Sequence, residues 1–178
     1  LRFFFHKITR TGTFGVDRAA IIPAPHKKSG NVLKDALFRH HVKQFHESSC
    51  SVASVVSVIN AILETKKNLN HGPITQQEIL EKVRTAHWKE RMGTNGYNGR
   101  RGLPLDVLGQ GVKASLDAYN IHYHCLEIVQ AQGGREASLP VRASLLSRLK
   151  QFETQGNCLI IAHFDQGSFV PELNIPHI

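Results

Sequence analysis

Sulfur and aromatic residues are scarce in this sequence: 178 residues contain three cysteines, one methionine and one tryptophan, and aromatics reach only 7%. Three cysteines, Cys50, Cys125 and Cys158, are too few and odd in number to staple a secreted disulfide scaffold, so at least one thiol is expected to be free. No apolar run approaches the ~18 residues of a membrane span. The longest, Val52 to Leu63, is broken by Ser54, Ser57 and Asn60. Acidic residues are also in deficit, 14 against 22 Lys plus Arg, for a net charge of +8. The imbalance lies at the front, where residues 1–43 hold nine basic residues against only Asp17 and Asp35. Such an arm suits an anionic partner, but it lacks helix-turn-helix spacing, zinc-finger spacing and regular aromatic interleaving, so no nucleic acid is expected as partner. Phe3-Phe4-Phe5 is too short for the apolar core of a signal peptide and gives no compartment.

A composition of 41% hydrophobic and 20% charged residues is that of a folded domain, and 178 residues fit one domain. Residues 1–40, with Gly12, Gly15, Pro23, Pro25 and Gly30, read as a wrap of loops and short extended pieces. A helical part is expected over 41–120. From Cys50, the positions Val52, Val55, Val56, Ile59, Ile62 and Leu63 follow helical spacing, and Ala53, Val58 and Ala61 widen the stripe until the helix must be buried. Thr75-Gln76-Gln77-Glu78 is a capping box opening a second helix through Ile79, Leu80, Val83 and Trp88. Leu103, Leu105, Leu108, Val112, Leu116 and Tyr119 give a third, starting near Pro104. Over 121–178 the pattern turns to sheet. Ile121 to Ile128 reads as a strand. A helix from about Pro140 to Phe152 turns Val141, Leu145, Leu146 and Leu149 inward, and Cys158 to Ala162 reads as a central strand. Helices first and strands later point to an α+β fold. Ile175-Pro176-His177-Ile178 resembles the opening of a strand, so the sheet is expected to run on past Ile178.

Cys50 stands where a nucleophile would. At the first turn of a buried helix, unpaired amide N–H groups and the helix dipole favour thiolate over thiol. Ser48 or Ser49 can cap that helix. Gln44, six residues earlier, can offer a side-chain N–H to a developing oxyanion, with the Cys50 N–H as second donor. A histidine must then take and return the proton. His177 is the first candidate and His163 its rival, while His40, His41 and His46 lie closer in sequence to the nucleophile. Cys158 reads as core. His122 and His124 before Cys125 do not complete a four-ligand set, so no metal site is expected. Residues 93–102 carry glycine at every third position beside Arg100 and Arg101, but without a P-loop or dinucleotide-loop ending they read as a surface loop.

The run Val42-Lys43-Gln44-Phe45-His46-Glu47-Ser48-Ser49-Cys50-Ser51-Val52-Ala53-Ser54, followed by Val58-Ile59-Asn60-Ala61, resembles the nucleophile region of the phytochelatin synthase family. Arg101-Gly102-Leu103 leading to Leu105-Asp106-Val107-Leu108-Gly109, and Leu159-Ile160-Ile161 before a loop ending at Pro176-His177-Ile178, extend the likeness from Val42 to the C-terminus. The resemblance implies a papain-like α+β fold, its helical half carrying the nucleophile and an antiparallel sheet half following. It implies attack on the Cys–Gly amide of glutathione, release of glycine and a γ-glutamylcysteine thioester. Cys50 would be nucleophile, His177 base and then acid, and Gln44 oxyanion donor, with Ser51 and Arg101 as substrate-binding positions. The family's orienting aspartate falls on the strand after the histidine, past Ile178.

Two departures shape the expected reaction. Ser51 replaces the glycine usual after the nucleophile, and His163-Phe164-Asp165-Gln166 stands where a basic residue is usual. With no Cys-rich C-terminal region, hydrolysis of glutathione is expected over chain-building. No cofactor is expected, a heavy-metal ion entering only as activator or as glutathione thiolate. Glutathione or a related γ-glutamyl thiol peptide is the expected partner, with a second copy of the chain admitted for assembly. Two other readings stand beside this one: a papain-like leader or processing peptidase, and an inert module binding anionic partners through its basic arm.

Overall fold

A computed structural model describes residues 30–45, 48–67, 72–93, 95–99, 102–131, 135–165 and 176–178. The residues divide into two compact units, one spanning 28–161 and a second that includes 162–178.

The first unit is helical. Its described residues form six α-helices: α1 (Val32–Arg39), α2 (Cys50–Thr65), α3 (Gln76–Lys82), α4 (Trp88–Met92), α5 (Leu105–Ala118) and α6 (Arg135–Gln155). Helix α2 is the axis of the core, with α1, α3 and α5 packed on it. Val52, Val55, Val56, Ile59 and Ala61 are each at most 1% exposed. Valine and isoleucine are indifferent helix formers. Their burial, at about 1.5–3 kcal/mol per side chain, is what holds the helix. The polar residues in this buried stripe are satisfied locally. Ser57 Oγ donates to the Ala53 carbonyl oxygen (2.8 Å) and accepts from the Val42 N–H (3.0 Å). Asn60, 1% exposed, donates to the Ile74 carbonyl oxygen (2.9 Å) and accepts from the Ile74 N–H (2.8 Å), treating that residue as a strand neighbour would.

Helix α3 opens with the expected capping box, Thr75 Oγ1 accepting from the Glu78 N–H (3.2 Å) and the Glu78 carboxylate accepting from the Thr75 N–H (2.6 Å). It does not continue to Trp88. It ends at Lys82, and a 3₁₀ turn, Thr85–His87, leads into α4. Ala86 (φ 59°) and His87 (φ 53°) are both left-handed, a conformation that costs an L-residue roughly 1–2 kcal/mol. The corner is held from outside. The His87 ring stacks on Tyr97 at 3.9 Å, and Arg91 Nε donates to the Ala86 carbonyl oxygen (3.0 Å). Replacing Ala86 with glycine relieves the steric cost and adds chain entropy to the unfolded state, so Ala86→Gly is expected to raise the unfolding free energy by about 0.5–1 kcal/mol, read from the urea midpoint.

Helix α1 falls in a stretch expected to be a wrap, of which residues 1–29 lie outside the described part. Its N-cap is Asn31, whose Oδ1 accepts from the Lys34 N–H (3.0 Å) while Nδ2 donates to the Phe152 carbonyl oxygen (2.6 Å). One side chain thereby starts α1 and fastens the end of α6, a joint reinforced by Lys34–Glu153 (2.9 Å). Glycine suits position 156, because its φ is +62° and a Cβ would sit 3.0 Å from Asn31 Oδ1. Helix α6 begins earlier than its leucine spacing suggests, with Pro140 inside it. The leucines expected inward are outward: Leu145, Leu146 and Leu149 are 43–54% exposed.

The α+β, papain-like expectation fails. No antiparallel sheet half is present among the described residues. Ile121–Ile128 and Cys158–Ala162 form no strand, and among the described residues only two-residue stretches pair, β1 (Phe164–Asp165) with β2 (Pro176–His177), antiparallel with Phe164 opposite His177. The physical reason is that an apolar run supplies neither a partner strand nor a cover for both of its faces. Ile121 is buried, but His122 to Cys125 and Ile128 are exposed, and 158–161 are only half-buried, so neither run has the two covered faces of a central strand.

Candidate functional site

Cys50 is the first residue of α2, as its spacing predicts, and the thiol is free and half-buried. Ser49 holds the cap position with φ −95° and makes no side-chain cap bond, and the first full helical bond runs from the Ala53 N–H to the Ser49 carbonyl oxygen (3.0 Å). The first turn of α2 carries no acidic residue. Its leading amide N–H groups and the positive end of a 16-residue helix therefore meet no competing carboxylate on that turn.

The neighbours of Cys50 turn inward. Ser49 is 0% exposed and Ser51 1%. Ser51 Oγ accepts from Trp88 Nε1 (3.1 Å) and donates toward Met92 Sδ (3.7 Å), while Ser48 Oγ donates to the Met92 carbonyl oxygen (3.2 Å). Ser51, expected at the substrate, has its hydroxyl in the core instead. Sequence reasoning misses the Trp88 contact because it spans 37 positions.

Gln44 is half-buried in the loop before α2. Arg101 and His46 lie outside the described residues. Gln44, Cys50 and Ser51 belong to the helical unit, whereas His163, half-buried, and His177, described through its β2 backbone pairing, belong to the second. His40 is held elsewhere. Its Nε2 meets the Glu64 carboxylate, fourteen residues along α2 from Cys50, a separation of about 21 Å at helical rise. Cys125 is exposed, with its Sγ 3.9 Å from Glu127 Oε1, and the Cys158 thiol donates to the Arg148 carbonyl oxygen at 3.3 Å. Among the described residues no three His, Cys, Asp or Glu side chains gather to hold a metal, and no helix is long and apolar enough to cross a membrane.

Sequence reasoning also misses the far end of α2. Glu64 accepts from Arg39 Nε (3.1 Å) and Nη2 as well as meeting His40, beside a cavity of about 330 Å³ lined by Arg39, His40, Asn60, Ile74 and Gln76. Hydrogen bonds from Arg39, and after it from His40, hold the Glu64 carboxyl below its usual value of 4.5, against an opposing push from burial. A lowered folded value means that Glu64 supplies stability above 4.5 and loses it as pH falls through the folded value. Glu64→Gln is therefore expected to lower the urea midpoint at pH 7 and to match the parent once both side chains are neutral in acid.

A comparison of the chain with protein-family models, curated proteins and solved structures finds no match.

Proposed function

We propose that the chain is a thiol enzyme that cleaves the Cys–Gly amide of glutathione, or of a related γ-glutamyl thiol peptide, through a thioester on Cys50. The observation that carries the reading is the first turn of α2. There, a free and partly exposed sulfur stands at the head of a buried helix, while the residues on either side of it are buried. The resemblance of residues 42–61 to the phytochelatin synthase family supplies the substrate class.

In this reading the Cys50 sulfur attacks the amide carbon, and the oxyanion is met by the Cys50 N–H with Gln44 as second donor. An imidazole, a role that the resemblance gives to His177, takes the Cys50 thiol proton and passes it to the departing glycine amine. Water, deprotonated by the same imidazole, then opens the thioester, restoring the thiol and releasing γ-glutamylcysteine. Ser51 takes no part at the substrate, since its hydroxyl is engaged by Trp88 and Met92.

The test is to incubate the chain with glutathione and follow glycine and γ-glutamylcysteine by mass spectrometry. Equal amounts of both are expected. Longer γ-glutamylcysteine oligomers would replace hydrolysis by transfer, and a folded protein that releases no glycine would remove the reading.

A further inference from the structure

The segment before and at the start of α2 is fastened to α4 at both ends: Ser48 binds the Met92 carbonyl oxygen (3.2 Å) and Ser51 binds Trp88 Nε1 (3.1 Å). Trp88 is itself fixed. It is fully buried, a Cβ added at Gly111 would touch its ring carbons at 3.4 Å, and the left-handed pair Ala86 and His87 sets the direction from which it arrives. A first helical turn is otherwise weakly held, because its leading N–H groups have no intrahelical acceptor. We propose that Trp88 and Ser51 are a positioning pair for the nucleophile, locking the turn so that the Cys50 sulfur and the Cys50 N–H keep one orientation toward the scissile amide. Neither residue touches substrate. The inference rests on Cys50 being the nucleophile and adds what holds it. A drift of about 1 Å at a reacting group can cost on the order of a hundredfold in rate, so a clamp of this kind would show in turnover.

The experiment compares Trp88→Phe, which keeps a ring and removes the N–H, with Ser51→Ala and the double variant. Asn60→Ala serves as the destabilised control, because it unpairs Ile74 about three turns along the same helix. For glycine release, kcat is expected to fall about tenfold in each single variant with KM within about twofold, and the double variant is expected to be no worse than the poorer single. Asn60→Ala should lower the melting temperature and leave kcat within about twofold. Unchanged kcat in both single variants, or an equal fall in Asn60→Ala, overturns the proposal. A second readout needs no substrate: the rate of Cys50 alkylation by iodoacetamide, divided by that of Cys125 in the same sample, should fall about threefold in both single variants. A ratio that stays constant or rises overturns the clamp whatever the turnover. A ratio that falls while the parent protein releases no glycine keeps the clamp and removes the glutathione reading.

Discussion

Cys50→Ala is expected to lower glycine release from glutathione by about 10⁴-fold or more, while the melting temperature moves by only a few degrees. The split between the two readouts follows from where the residue sits. Cys50 is half-buried at the end of α2 rather than inside the valine stripe, so removing its sulfur opens no closed cavity, and alanine is the better helix former. Nothing else in the first turn can replace the sulfur, because the hydroxyl of Ser51 is committed to Trp88 and Met92. Cys50→Ser is expected to be nearly as inactive, since a hydroxyl is far harder to ionise than a thiol. Cys125→Ala and Cys158→Ala provide the counter-experiment. If either abolishes release and Cys50→Ala does not, the nucleophile has been misassigned.

Trp88→Ala is expected to lower the unfolding free energy by about 3–5 kcal/mol, a fifth or more of what a domain of this size commonly has. The side chain is 0% exposed and lies against Gly111, which has no side chain to fill the gap. Its loss also withdraws the donor that satisfies the buried Ser51 hydroxyl. Trp88→Phe should lose much less, because most of the ring volume remains. As Trp88 is the chain's one tryptophan, urea unfolding of the parent can be followed by its fluorescence, and the variants by circular dichroism. A loss below about 1 kcal/mol for Trp88→Ala would mean that the site is loosely packed.

What the sequence makes legible is local. The run from Val52 to Leu63 has a single consistent period, and the helix begins at Cys50 because the apolar stripe begins there. Thr75 and Glu78 cap α3 through atoms three residues apart, so the box can be seen without knowing the fold. Helix α1 carried a comparable mark, Asn31 before Val32, Leu33, Ala36 and Leu37, which the surrounding glycines and prolines obscured. What stays hidden depends on partners distant in sequence. Whether Cys158 to Ala162 forms a strand turns on a second strand, and the leucines of α6 have helical spacing with no way to show from the pattern that they face outward. The candidate site divides in the same way. Cys50 and Gln44 stand out by position and residue type, but the direction of the Ser51 side chain is decided by an indole 37 residues away.

That direction changes what a substitution at position 51 reports. The hydroxyl beside Cys50 reads the interior of the protein, so variation there would be judged by folding yield before it was judged by substrate choice. Any attempt to redesign specificity would have to leave this position alone and work from residues across the thiol, because glycine at 51 would strip Trp88 of its acceptor and leave a polar hydrogen stranded in the core.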